Sequence, residues 1–180
     1  MNNEKGLKHI LRLTLTLLLI CALVAAVLAG VNTITEDKIA AAQEQKTLDA
    51  LAMVLPGVEN LKPLTLVGDT GAVSRVFRSG NHFAVEVASV GFDGPVTLMV
   101  GISDGQVVGI SVVSHTETPG LGAVAAAKNA KGEAFRNQFV GATGGLAVGE
   151  NIDAISGATI TSKSVVNSVN IALEFVKTLG

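Results

Sequence analysis

The stretch Val96-Thr97-Leu98-Met99-Val100-Gly101-Ile102-Ser103-Asp104-Gly105-Gln106-Val107-Val108-Gly109-Ile110-Ser111-Val112-Val113-Ser114 decides the fold. Val96 to Ile102 is one apolar run and Val107 to Ser114 another, with Asp104-Gly105 between them. Both turn residues tolerate a positive φ, which a tight antiparallel hairpin demands of its two central positions. Working outward, His82 to Val90 alternates, placing Phe83, Val85 and Val87 on one face and Glu86 on the other. Val73 to Arg78 is a shorter run of the same kind, and Gly91 to Pro95 reads as a connecting turn. The pattern predicts an antiparallel sheet of about four or five strands.

Downstream the period changes. Ala123 to Ala130 reads as helical, Gly132 as a break, and Glu133 to Val140 resumes with Phe135 and Phe139 one turn apart. A Gly-rich loop runs from Gly141 to Gly149. The chain closes with a helix from about Thr161 to Leu179, whose stripe of Val165, Val166, Val169, Ala172, Leu173 and Val176 suits one face of a sheet. The fold class is α+β, a twisted antiparallel sheet with packed helices.

Upstream the chain changes character. Leu13 to Val31 carries no charge, and eleven of its nineteen residues are Leu, Ile or Val. As a helix it reaches roughly 28 Å, close to the thickness of a hydrocarbon core. Those eleven side chains contribute on the order of −3 to −7 kcal/mol toward insertion. Thr14 and Thr16 can return their hydroxyls to carbonyls one turn earlier, so they do not spoil the span. Lys5, Lys8 and Arg12 precede it, while Glu36, Asp37 and Lys38 follow. The positive-inside rule then makes 1–12 a cytoplasmic tail, 13–31 a single transmembrane helix and the rest extracytoplasmic. A cleavable signal is the alternative, given Ala25, Ala26 and Ala29, although the apolar run exceeds the usual core of a signal. Cys21 follows Ile20 rather than a small residue, so it reads as an apolar side chain and not a lipidation site. Glu36 to Leu55 reads as a stalk helix with the stripe Leu48, Leu51, Ala52 and Leu55, stopped by Pro56-Gly57. Residues 32–81 thus hold the stalk and the start of the outer domain, and 82–180 the domain itself.

Composition narrows the function. The chain has 180 residues with a net charge of −2, so a basic nucleic-acid face is not expected. Its aromatics are all Phe, leaving no Trp or Tyr platform for bases. One cysteine and three scattered histidines (His9, His82 and His115) make no disulfide framework and no metal motif. No G-x-G-x-x-G is present for a nicotinamide cofactor.

Two loops stand out. His115-Thr116-Glu117-Thr118-Pro119-Gly120-Leu121-Gly122 follows the hairpin, with Pro119-Gly120 forcing a turn and Gly122 allowing close backbone approach. By itself it also reads as a plain strand-to-helix connection. Asp153-Ala154-Ile155-Ser156-Gly157-Ala158-Thr159-Ile160-Thr161-Ser162 precedes the last helix. Hydroxyls crowd a helix start there, which suits either a phosphate or an ordinary N-cap by Ser156, Thr159 or Ser162.

Asp153-x-x-Ser156-Gly157-Ala158-Thr159 resembles the flavinylation motif of the FMN-binding domain family, and His115 to Gly122 resembles that family's second signature. Over nearly the whole chain the likeness is to the G subunits of Rnf ion-translocating electron transport complexes. A more distant one is to the C subunits of Na+-translocating NADH:quinone reductases. The resemblance implies FMN joined through its phosphate to Thr159, with Asp153, Ser156, Gly157 and Ala158 read by a flavin transferase. Glu117, Thr118, Pro119, Gly120 and Leu121 would then line the flavin pocket in an FMN-binding domain spanning 82–180. It also implies an electron-relaying subunit in the cell membrane, held in the lipid bilayer, with partners among the other membrane and peripheral subunits. The complex would couple ferredoxin:NAD+ electron transfer to Na+ or H+ translocation, and this subunit would catalyse nothing alone. Alternatives are the quinone reductase subunit and a tethered scaffold domain without flavin.

Overall fold

A computed structural model describes residues 2–66, 68 and 70–179. The remaining positions, and the side chains of residues 2–5 and of Leu7, lie outside the described residues, so the Lys5 side chain invoked for topology does too. Helix α1 (Asn2–Val54) is followed by strands β1 (Lys62–Pro63), β2 (Val73–Ser79), β3 (His82–Val90), β4 (Pro95–Ser103) and β5 (Gln106–Ser114). A 3₁₀ turn (Gly122–Ala126), α2 (Ala130–Asn137) and α3 (Thr159–Thr178) complete the chain. Residues up to Gln45 form one compact unit and those from Lys46 another.

In the first unit the large apolar side chains of the 13–31 span point outward. Leu15, Leu17, Leu19 and Leu28 each keep more than three-fifths of their surface bare. α1 is the one helix among the described residues long and apolar enough to cross a membrane. The threonines behave as their chemistry requires: Thr14 Oγ1 donates to Ile10 O at 3.0 Å and Thr16 Oγ1 to Arg12 O at 2.8 Å.

The second unit is built on the hairpin. Asp104 and Gly105 have φ of 50° and 77°, and Ser103 pairs with Gln106 across the turn. The five strands lie in chain order, each antiparallel to the next. The register sets Val85 opposite Val100 and Phe83 opposite Ile102, so one face of the sheet is continuously apolar. Val165, Val169, Ala172 and Leu173 of α3 close over that face. Phe135 and Phe139 meet edge to face at 5.4 Å beside them.

The opposite face is also covered. Ala84, Met99 and Val113 pack against Ala50, Leu51, Val54 and Leu55 at the end of α1. Gly101 pairs with Gly109 across β4 and β5. A Cβ on Gly101 would stand 2.9 Å from that of Val54, so this glycine pair forms the trough in which the helix end lies.

Three sequence expectations change. The buried stripe of α1 is Thr47, Ala50, Leu51, Val54 and Leu55, while Leu48 is half exposed and Ala52 exposed, because the trough takes a narrow helix face. The helical break falls at Ala127–Asn129 and not at Gly132. Asn129 Oδ1 accepts from Gly132 N at 3.0 Å as an N-cap, and Gly132 is bare because a Cβ there would strike Val124 O and Ala127 O. The last helix begins at Thr159, two residues early, with Ala158 at its cap position. Lys62–Pro63 adds an edge strand too short to show a period, and an edge is where a Pro is tolerated.

Candidate functional site

The two singled-out loops meet at one end of the sheet. Between them lies a cleft of about 330 Å³. Glu117, Thr118, Leu121 and Gly122 form one wall, and Gly157 through Thr161 form the other. Phe92, from the β3–β4 turn, forms the lip.

Thr159 is the first residue of α3, and its side chain is exposed. The hydroxyls around it have separate tasks. Ser162 Oγ accepts from Ile155 N at 2.9 Å and donates to Ala158 O at 3.0 Å, which fixes the preceding loop to the helix. Thr161 Oγ1 donates to Glu117 Oε2 at 2.6 Å. Ser156 and Thr159 are exposed, and no side chain caps the helix. The first-turn N–H groups, with the positive end of a 20-residue helix behind them, therefore stand open beside the Thr159 hydroxyl. An ordinary side-chain N-cap is not what this loop makes. Gly157 has φ of 76°, a conformation that strains any larger residue, and a Cβ there would sit close against Leu121 at 3.1 Å.

Glu117 is only 5% exposed. Its Oε1 accepts from Phe92 N at 2.7 Å and Asp93 N at 3.3 Å, while Oε2 takes the Thr161 hydroxyl. One carboxylate thus ties the β3–β4 turn to the start of α3. Burial pushes the carboxyl upward, but these hydrogen bonds and the neighbouring His115 outweigh it and hold the group below its ordinary range. The turn is further fixed by Gly91 N donating to Gly94 O at 2.7 Å and Thr116 Oγ1 donating to Asp93 O at 2.5 Å. Phe92, 69% exposed, is therefore an apolar ring on a rigid loop.

The residues expected at the site divide between two places. Glu117, Thr118, Leu121, Gly157, Ala158 and Thr159 share the cleft. Asp153, Ser156 and Gly120 line a neighbouring cleft of about 590 Å³ against α2. The Asp153 backbone is held there by Gln138, whose Oε1 accepts from Asp153 N at 2.8 Å. Pro119 shapes the turn and lines neither cleft. Sequence reading missed Phe92, Ile160 and the partners of Glu117. An exposed Phe between Gly91 and Gly94 was the available signal.

The cleft suits a flat, partly apolar group carrying an anion. Phe92, Leu121 and Ile160 give it apolar surface, and the open helix start and exposed hydroxyl are chemistry that an anion such as phosphate would suit. The domain carried behind the apolar helix is an FMN-binding domain, as its family match shows. The FMN-binding domain matches residues 91–174, and the RnfG N-terminal region matches residues 1–54. The chain is 34% identical to the G subunit of the ion-translocating oxidoreductase complex of Methanosarcina acetivorans, over 94% of this chain and 95% of that protein. It is 33% identical to the G subunit of the proton-translocating ferredoxin:NAD(+) oxidoreductase complex of Clostridium ljungdahlii, over 99% and 97%. With the G subunit of the Na(+)-translocating ferredoxin:NAD(+) oxidoreductase complex of Acetobacterium woodii it shares 29%, over 96% and 94%. The chain belongs to the family of G subunits of ion-translocating oxidoreductase complexes.

Proposed function

We propose that this chain is the membrane-anchored flavoprotein subunit of a redox-driven ion translocase of the ferredoxin:NAD+ type, relaying electrons through FMN joined by its phosphate to Thr159. One observation carries the reading: the exposed threonine hydroxyl at the start of α3 stands on the rim of an apolar cleft, beside uncapped helix N–H groups. FMN supplies the one- and two-electron chemistry. The chain's own residues do the rest. Thr159 Oγ1 provides the oxygen for the phosphoester, and the helix start offsets the remaining phosphate charge by about 0.3–1 kcal/mol where exposed. Phe92, Leu121 and Ile160 offer the ring an apolar seat. A covalent bond suits a carrier outside the cytoplasm, where no pool of free FMN can be counted on.

Maturation falls to a flavin transferase that reads Asp153, Ser156, Gly157 and Ala158, of which Asp153 and Ser156 stand exposed on the adjoining cleft. The decisive experiment is coexpression of the full chain with such a transferase, read as ultraviolet-excited fluorescence on a denaturing gel. Thr159→Val should lose the band completely. The hydroxyl makes no capping bond, so stability should move by no more than about 0.5 kcal/mol. An undiminished band in that variant overturns the attachment site.

Topology follows from charge. Lys8 and Arg12 precede the apolar span, so a single-pass orientation with the tail inside and residues 36–180 outside is proposed. Protease added to intact spheroplasts should digest the domain, and full protection would reverse the orientation.

A further inference from the structure

We infer that the buried Glu117 carboxylate tunes the electron carrier, as a fixed negative charge on the cleft wall that holds the group on Thr159 at a low potential. This rests on the flavin reading above. Glu117 lines the same cleft as Thr159 and is 5% exposed, yet among the described residues no Lys or Arg forms an ion pair with it. Its hydrogen-bond partners are two backbone N–H groups and one hydroxyl, and His115 is the titratable neighbour that acts on its charge.

Holding the loop does not require the charge. A glutamine of the same shape could accept from Phe92 N with its oxygen and donate to Thr161 Oγ1 with its amide. Burying that neutral amide costs less than burying a carboxylate. The tip of the side chain fills its space on both sides. A Cβ on Gly91 would fall on Glu117 Oε1, and one on Gly122 would fall on Oε2. The feature that glutamine lacks is the charge, and Glu117 lines the cleft. A charge held at 5% exposure on an apolar wall is screened less than one in open water. An electron added to a group in the cleft adds negative charge near a fixed anion, so the reduced form is disfavoured and the potential falls. Such a carrier suits an electron source that is itself strongly reducing.

The test uses the full chain, coexpressed with its flavin transferase and purified in detergent, with the potential read by spectroelectrochemical titration and the label by gel fluorescence. Glu117→Gln keeps the hydrogen-bonding shape, so it should fold, retain the label and titrate at a more positive potential. Glu86→Gln removes an equally buried carboxylate away from the cleft and should leave the potential at the wild-type value. A wild-type potential in Glu117→Gln overturns the proposal, as does an equal shift in Glu86→Gln or loss of label in Glu117→Gln. Absence of label from the wild-type chain would instead overturn the attachment reading, and the tuning role with it.

Discussion

Two glutamates are buried to nearly the same depth in this domain, Glu86 at 6% exposure and Glu117 at 5%, and they are satisfied in opposite ways. Glu86 lies on the sheet face that packs against the end of α1. Its Oε2 meets Arg75 Nη2 at 3.0 Å, its Oε1 takes the Ser74 hydroxyl at 2.9 Å, and Arg75 reaches on to Thr47 Oγ1 at 2.9 Å. Glu117 lies on the cleft wall with neutral donors only. A paired carboxylate has its charge cancelled and serves the fold. An uncancelled one projects a field into its surroundings. The contrast separates a face of the sheet that holds the molecule together from an end of it that lines the cleft.

The comparison breaks most visibly at Arg75. Arg75→Met leaves Glu86 buried without its cation, and losing one partner of a fully buried pair costs about 3–5 kcal/mol. Arg75 is 38% exposed, so water can reach the vacated side and the expected loss is nearer about 2 kcal/mol. Thermal unfolding should show a clear fall in Tm, with the flavin label per folded molecule unchanged. A variant that keeps its Tm but loses the label would reverse the division of labour between the two faces.

The same contrast marks where sequence reading ran out. β3, β4 and β5 were legible to within a residue, because the Asp104-Gly105 turn and the alternation in Phe83, Val85 and Val87 are local signals. The motif from Asp153 to Thr159 and the loop from Glu117 to Leu121 were legible as linear patterns. Their meeting was not, since Glu117 takes its partners from 25 residues upstream and 44 downstream, and no window spans both. Glu86 shows the same blindness. It sits in the polar phase of β3 and is buried only because Thr47, Ala50 and Val54 cover that face, which hydrophobic period alone does not reveal. Gly132 misled for a related reason: a glycine bare for packing looks, in sequence, like one that ends a helix.

The smallest expected effect is the one that sharpens the comparison most, and it lies in acid. The folded Glu117 carboxyl is held below its ordinary range despite burial, through Thr161, Phe92 and Asp93 and the nearby His115. A group whose folded pKa is depressed binds fewer protons in the folded state than in the unfolded chain. Its contribution to stability is therefore full above the unfolded carboxylate value of about 4.3 and drains away as pH falls through the folded one. Glu117→Gln cannot take part in that linkage. Unfolding followed from neutral pH down to about pH 3 should show Tm falling less steeply in Glu117→Gln than in the wild type, with the two curves converging toward the acid end. At neutral pH the variant gives up a charge-assisted clamp but also a desolvated charge, so the difference there should stay within about 1–2 kcal/mol. Parallel curves across the whole range would mean that the Glu117 carboxyl binds protons alike in the folded and unfolded chain, and the distinction between the two glutamates would then have to rest on geometry alone.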